Sequence, residues 1–170
     1  MGEAGADGEA ITVIRIAEPE IGADLSGRLQ SLLQACFPGY PGRSYFKLPP
    51  HFRFLAMTGT GGVAAQMGVE FRIIRVGDTV VRTFGVVDLC VAESQRSRGL
   101  AGRLLTEMTE LARCCGMAFI VLFADDDRLY ARHGWGAGHE PLFLGENRRP
   151  PHIGAGQAGR SRCPDGQGPR

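Results

Sequence analysis

The sequence predicts a three-layer α+β domain: a mixed, mostly antiparallel sheet flanked by helices. Three observations point there. Two stretches carry apolar residues at spacings of three and four, the mark of a helix with one buried face. Three consecutive β-rich stretches between Phe52 and Val91 are separated only by Gly-rich turns, so they read as antiparallel neighbours. One continuous apolar run, Met117 to Phe123, reads as a strand buried on both faces, as parallel strands are.

Taken in order, Ile11 to Ala17 alternates β-branched residues (Ile11, Val13, Ile14, Ile16) and is a strand. Pro19 opens a helix whose face is Ile21, Leu25, Leu29, Leu32, Leu33 and Cys36, stopped by Pro38 and Gly39. Gly39 to Pro50 is a Pro/Gly loop holding Tyr40, Tyr45 and Phe46. Strands follow at Phe52 to Met57, Val63 to Val76 and Thr79 to Val91, with Gly77-Asp78 as a hairpin turn. The period then lengthens: Leu100, Leu104, Leu105, Met108, Leu111, Ala112 and Cys115 line one face of a helix over Gly99 to Cys115. After the apolar run come Asp125, Asp126 and Asp127, a short helix through Arg132 with Gly134 as its stop, and a last strand at Leu142 to Leu144.

The chain has 170 residues, enough for one domain, with 44% hydrophobic and 22% charged residues. Its net charge of +1 lacks the basic excess that nucleic acid or an anionic membrane surface would call for. No apolar run approaches the roughly 20 residues of a membrane span, and Met1 to Ala10 is acidic where a signal peptide would be basic. A cytoplasmic location is expected. Five cysteines, an odd number without a CxxC pair, argue against a disulfide framework or a metal site. Residues 1–10 and the Gly/Pro/Arg-rich stretch 145–170 lack the apolar residues to offset ordering, so a flexible N-terminus, a folded unit over 11–144 and a disordered tail are expected.

The most informative stretch runs from Val87 to Leu105, where a strand passes through a short loop into a helix. Arg96, Gly99 and Ala101 form R-x-x-G-x-A. A helix start offers unpaired N–H groups and the positive end of the dipole, and glycine lets an anion approach the backbone. The chemistry is that of a pyrophosphate cradle, without the residues of a P-loop or a GxGxxG turn.

Joined to Leu129-Tyr130-Ala131-Arg132-His133-Gly134-Trp135 about thirty residues later, this stretch resembles the GCN5-related N-acetyltransferases (GNAT), and the order of elements is similar to that family's fold. The resemblance covers most of residues 11–144. It implies acetyl-CoA as cosubstrate, no metal, and transfer of the acetyl group to a primary amine by direct attack on the thioester. The backbone of Leu89, Cys90 and Val91 would pair with the pantetheine arm. Arg96, Ser97, Arg98, Gly99, Leu100, Ala101 and Gly102 would cradle the pyrophosphate. Tyr130 stands where the family's tyrosine protonates the departing thiolate, against a reading as an aromatic packed on the sheet.

The general base is open. Strict alternation puts Gly85, Val87 and Leu89 on one face and Asp88 and Cys90 on the other, with no Glu where such families often carry one. Asp88, Glu70 and a water relay remain candidates. Cys90 reads as core rather than nucleophile, and His133 as a helix-end partner. Two departures stand out: the asparagine common at the start of the last helix is absent, and the closing hairpin is reduced to Leu142–Leu144 before the tail. A non-catalytic acyl-CoA-binding module is the alternative, as is an acyltransferase using a longer acyl donor, since Gly62 to Val69 faintly resembles the nodulation acyltransferase. The expected partner is a small-molecule amine, with no nucleic acid and no membrane; monomer and homodimer both remain open.

Overall fold

The computed structural model describes residues 10–123, 128–132, 136–137 and 142–146. Its sheet contains β1 (Ile11–Ala17), β2 (Phe52–Thr58), β3 (Val63–Val76), β4 (Thr79–Val91), β5 (Phe119–Phe123), β6 (Gly136–Ala137) and β7 (Leu142–Glu146), in the order β1-β2-β3-β4-β5-β7-β6. Every neighbouring pair is antiparallel except β4 and β5, which run parallel. Helix α1 (Ala23–Cys36) lies over β3 and β4 on one face, and α2 (Leu100–Cys114) lies over β2 to β5. A short α3 (Arg128–Arg132) follows β5.

The α2 face holds the larger core. Leu104, Leu105, Met108 and Ala112 interlock with Phe54, Met67, Val69, Phe84, Val86, Ile120 and Leu122, and Phe52 stacks edge-on against Phe84 with centroids 5.6 Å apart. On the α1 face Leu32, Leu33, Tyr40 and Cys90 form a smaller cluster. The sheet is thus covered by a helix on each side, as the two periodic segments predict.

Four expectations need correction. Pro19 sits in a separate 3-10 turn, Glu18–Glu20, and α1 begins at Ala23 after an extended Gly22. The strand expected from Met117 begins at Phe119 and is buried on one face only. Ile120 and Leu122 are buried beneath α2, whereas Phe119 and Val121 are half-exposed because α1 reaches only β3 and β4. Cys115, expected on the buried face of α2, is exposed, since the helix closes at Cys114. The closing hairpin is present as well. β7 runs two residues past Leu144, pairing Gly145 with Ile120 and Glu146 with Phe119, and β6 pairs with β7. The signal was missed because two glycines and an alanine, Gly136, Ala137 and Gly145, carry no strand preference of their own. Residues 1–9 and 147–170, the Asp125–Asp127 run, His133, Gly134 and Trp135 lie outside the described residues.

Candidate active site

The site begins where β4 leaves β5. Their ladder covers only Thr83–Val86 against Phe119–Leu122, but β4 continues to Val91. From Val87 onward β4 is paired with β3 alone among the described residues, so its other edge offers backbone N–H and C=O groups without a strand partner. Leu89, Cys90 and Val91 lie on this free stretch, where an extended ligand can be added as a strand.

β4 is not regular there. Gly68 pairs with Val87 and Gln66 with Cys90, so Asp88 and Leu89 together stand opposite Met67. Asp88 takes up the extra residue with φ of 54°, in the left-handed region. The bulge corrects the expected alternation. Gly85, Val87 and Cys90 face α1 while Leu89 and Val91 join the α2 core, so the phase reverses at Asp88. Glycine at position 68 leaves room for Val87 beside the bulge: a Cβ there would come within 2.7 Å of Val87 Cγ2.

Beyond Val91 a 3-10 turn, Glu93–Gln95, leads to the exposed loop Arg96–Gly99. Ser97 and Gly99 both have positive φ, 61° and 73°. This winding delivers the chain to α2 with no side chain capping its start. Its first helical bond runs from Arg103 N–H to the Gly99 carbonyl at 3.0 Å, leaving the amides of Leu100, Ala101 and Gly102 without a helical acceptor. A Cβ placed on Gly99 would meet nothing within 4 Å, so the approach is open and the glycine is needed for its backbone angle. Arg98 donates to Gln95, and Arg96 is exposed beside the helix start. Donors, dipole and two guanidinium groups all favour an anion here.

Tyr130, on α3, packs half-buried against the α2 core that also holds Leu89 and Val91. Burial pushes its phenol up, so it stays protonated at neutral pH and is a hydroxyl donor.

The two carboxylates expected as base candidates both lie on the α1 face. Asp88 Oδ2 accepts a 2.6 Å hydrogen bond from the Tyr40 hydroxyl. Tyr40 is itself pushed up, first by burial and then by this bond to Asp88. Glu70 pairs across the strands with Gly85 and is gripped by Arg72, whose Nε donates to Oε2 at 2.7 Å. Cys90 is buried and its thiol is pushed up by burial, so it is a poor nucleophile, consistent with a core role.

Sequence reading missed the polar cluster behind the bulge. Arg53, fully buried, donates to both oxygens of Glu18 at 2.7 and 2.9 Å, to Gln66 Oε1 at 2.9 Å and to the Ser44 carbonyl at 2.8 Å. Gln66, also fully buried, donates from its amide to the Asp88 carbonyl. The available signal was one arginine and one glutamine inside otherwise apolar strands, Phe52-Arg53-Phe54-Leu55 and Ala64-Ala65-Gln66-Met67.

A family model described as the acetyltransferase (GNAT) domain matches residues 29–138, which span β4, the Arg96–Gly99 loop, α2 and Tyr130. The chain belongs to the GNAT acetyltransferase family. Membership makes it an acyltransferase by family. Comparison with curated proteins gives no match. Among solved structures it is similar to a GNAT family acetyltransferase from Brucella melitensis in complex with acetyl-CoA, at 15% identity and TM-score 0.63 over 82% of this chain and 89% of that one. It is also similar to the GNAT family N-acetyltransferase YhbS of Escherichia coli in complex with CoA, at 21% identity and TM-score 0.58 over 79% and 81%. Eis1 from Mycobacterium abscessus aligns at 17% identity and TM-score 0.62 over 76% of this chain but 31% of its own length. At these identities the likeness is one of fold. No described helix is long and apolar enough to cross a membrane, and no cluster of potential metal ligands occurs among the described residues.

Proposed function

We propose that the protein is an N-acetyltransferase that moves the acetyl group of acetyl-CoA to a primary amine of a small molecule. The single observation that carries the proposal is the continuous path from the unpaired edge of β4 to the uncapped start of α2. One end suits an extended pantetheine arm and the other a pyrophosphate, and the family supplies the chemistry.

A free alkyl amine has a pKa about 3 units above neutrality, so only about one molecule in a thousand can attack until a proton leaves. In the proposed step the amine nitrogen bonds to the thioester carbon and the C–S bond breaks. The ammonium gives up one proton to solvent before attack and a second to a carboxylate as the amide forms. The Tyr130 hydroxyl protonates the departing sulfur and its phenolate takes the proton back from the carboxylic acid, leaving an amide and free CoA thiol. Backbone N–H groups of Leu89–Val91 stabilise the oxyanion. Asp88 is the favoured base because it sits on the bulge next to those donors and its Oδ1 is not engaged by Tyr40. Glu70 is less suited, its carboxylate being taken up by Arg72.

Thiol release from acetyl-CoA across a panel of aminoglycosides, polyamines and peptide N-termini tests the reading. A second reading, a non-catalytic acyl-CoA-binding module, draws on the engagement of both carboxylates by neighbours. Saturable acetyl-CoA binding without turnover on any amine would select it. Turnover with long-chain acyl-CoA alone would favour a longer donor. Absence of binding to any CoA thioester would remove all three.

A further inference from the structure

Asp88 is held from two directions. Gln66 donates to its carbonyl from within the sheet, and Tyr40 donates to its carboxylate from the loop over 37–51. The same loop is held a second time, through the Ser44 carbonyl, by Arg53, and Arg53 is bonded to Gln66. Loop and bulge are therefore joined by two routes, one direct and one through a buried Arg53–Gln66 pair. Burying a guanidinium costs several kcal/mol unless every donor is satisfied, so this cluster tolerates only one arrangement of its partners. Ser44 is buried in that arrangement, whereas Phe46 and Leu48 of the same loop stand 51% and 73% exposed. The exposed part of the loop is free to meet an acceptor while its base is fixed to β4.

We infer that Gln66 and Arg53 are positioning residues that lock the loop 37–51, which carries Tyr40 to Asp88, onto the β4 bulge, so that the Asp88 carboxylate and the free edge of β4 are held in one frame. The inference rests on the acyl-transfer reading above for its catalytic part, and on hydrogen bonds alone for its mechanical part. Neither residue touches the reacting atoms. Their effect passes through the Asp88 carbonyl, which sets the direction of the following amides at Leu89 and Cys90. A displacement of about 1 Å at such a site can cost about a hundredfold in rate.

Gln66→Glu tests it in the full chain. The substitution keeps an oxygen for Arg53 but turns the donor facing the Asp88 carbonyl into a second acceptor. The expected result is a kcat lowered by about ten- to a hundredfold and a raised amine KM, with a smaller loss of acetyl-CoA affinity because the Arg96–Gly102 loop is untouched. Hydrogen exchange without ligand should show amides of 40–44 and of 88–90 loosening together, while 104–112 in α2 stays protected. Glu107→Gln, on the exposed face of α2 and away from this cluster, should stay near the parent in kcat. Unchanged kcat and KM in folded Gln66→Glu would overturn the inference, as would faster exchange confined to 88–90. If Gln66→Glu gives no cooperative melt, Gln66→Asn is read by the same measures, its amide being one methylene too short for both contacts. A parent that binds but never turns over would defeat the acyl-transfer reading, and the exchange data would still decide the coupling. In the parent itself, 40–44 and 88–90 should open with one common free energy; two separate ones would sink the idea.

Discussion

Gly99 separates the two reasons a glycine can stand at a helix start. Its φ of 73° and ψ of 10° place it in the left-handed region, where a Cβ costs about 1 kcal/mol. Nothing within 4 Å opposes that Cβ, so Gly99→Ala should lose only this backbone term, about 4 °C in Tm for a domain of this size. Asparagine tolerates the left-handed region, and Gly99→Asn should recover most of that loss. Binding should follow a different order. A carboxylate facing the two charges of a pyrophosphate at about 4 Å is repelled by about 2 kcal/mol even at the dielectric of water, so Gly99→Glu should weaken acetyl-CoA by about thirtyfold or more. Raised salt should relieve part of that loss. Calorimetric titration at two ionic strengths, with circular dichroism melts of all four proteins, gives both quantities. Should folded Gly99→Glu bind as the parent does, the anion lies elsewhere and Gly99 serves the backbone alone.

Tyr130→Phe is expected to keep acetyl-CoA affinity and lower kcat by about 10²- to 10⁴-fold; a parent-like rate would leave Tyr130 a packing residue. Gly68→Ala drives a Cβ to 2.7 Å from Val87 Cγ2 and should cost about 1–3 kcal/mol in denaturant melts, relieved in part by adding Val87→Ala, since Pro50 also lies 3.2 Å away. Chains ending at Leu144 lose the residues paired with Phe119 and Ile120, and should melt below chains ending at Glu146. Cys90 and Tyr40 both have raised folded values, so their contribution is intact below pH 9.0, where the unfolded thiol begins to ionise. It is lost progressively as pH climbs past there and, for the phenol, past 10.0. Cys90→Ala should flatten that alkaline slope by one group's share, measured as unfolding free energy between pH 8 and 11.

Periodicity and turn chemistry are local, and what depends on them was legible in the chain. β1, β3 and β4 fall on their predicted limits, and the buried face of α2 was read from its apolar spacing as far as Ala112. The strand–loop–helix around Arg96–Gly102 was equally plain, because glycine and the loss of alternation mark it in neighbouring residues. Tertiary structure alone decided the rest. A bulge adds one residue opposite a partner strand distant in sequence, so no pattern within β4 could show the reversal at Asp88. The partner of Asp88 is Tyr40, 48 residues earlier, and the cluster behind it draws Glu18, Arg53 and Gln66 from three segments. Whether β5 was covered on both sides depended on where α1 came to rest, which is a matter of packing between elements. Sequence determined the limits of the regular strands and the glycine-marked start of α2; the crossing of strands and loops decided which side chains stand together beside them.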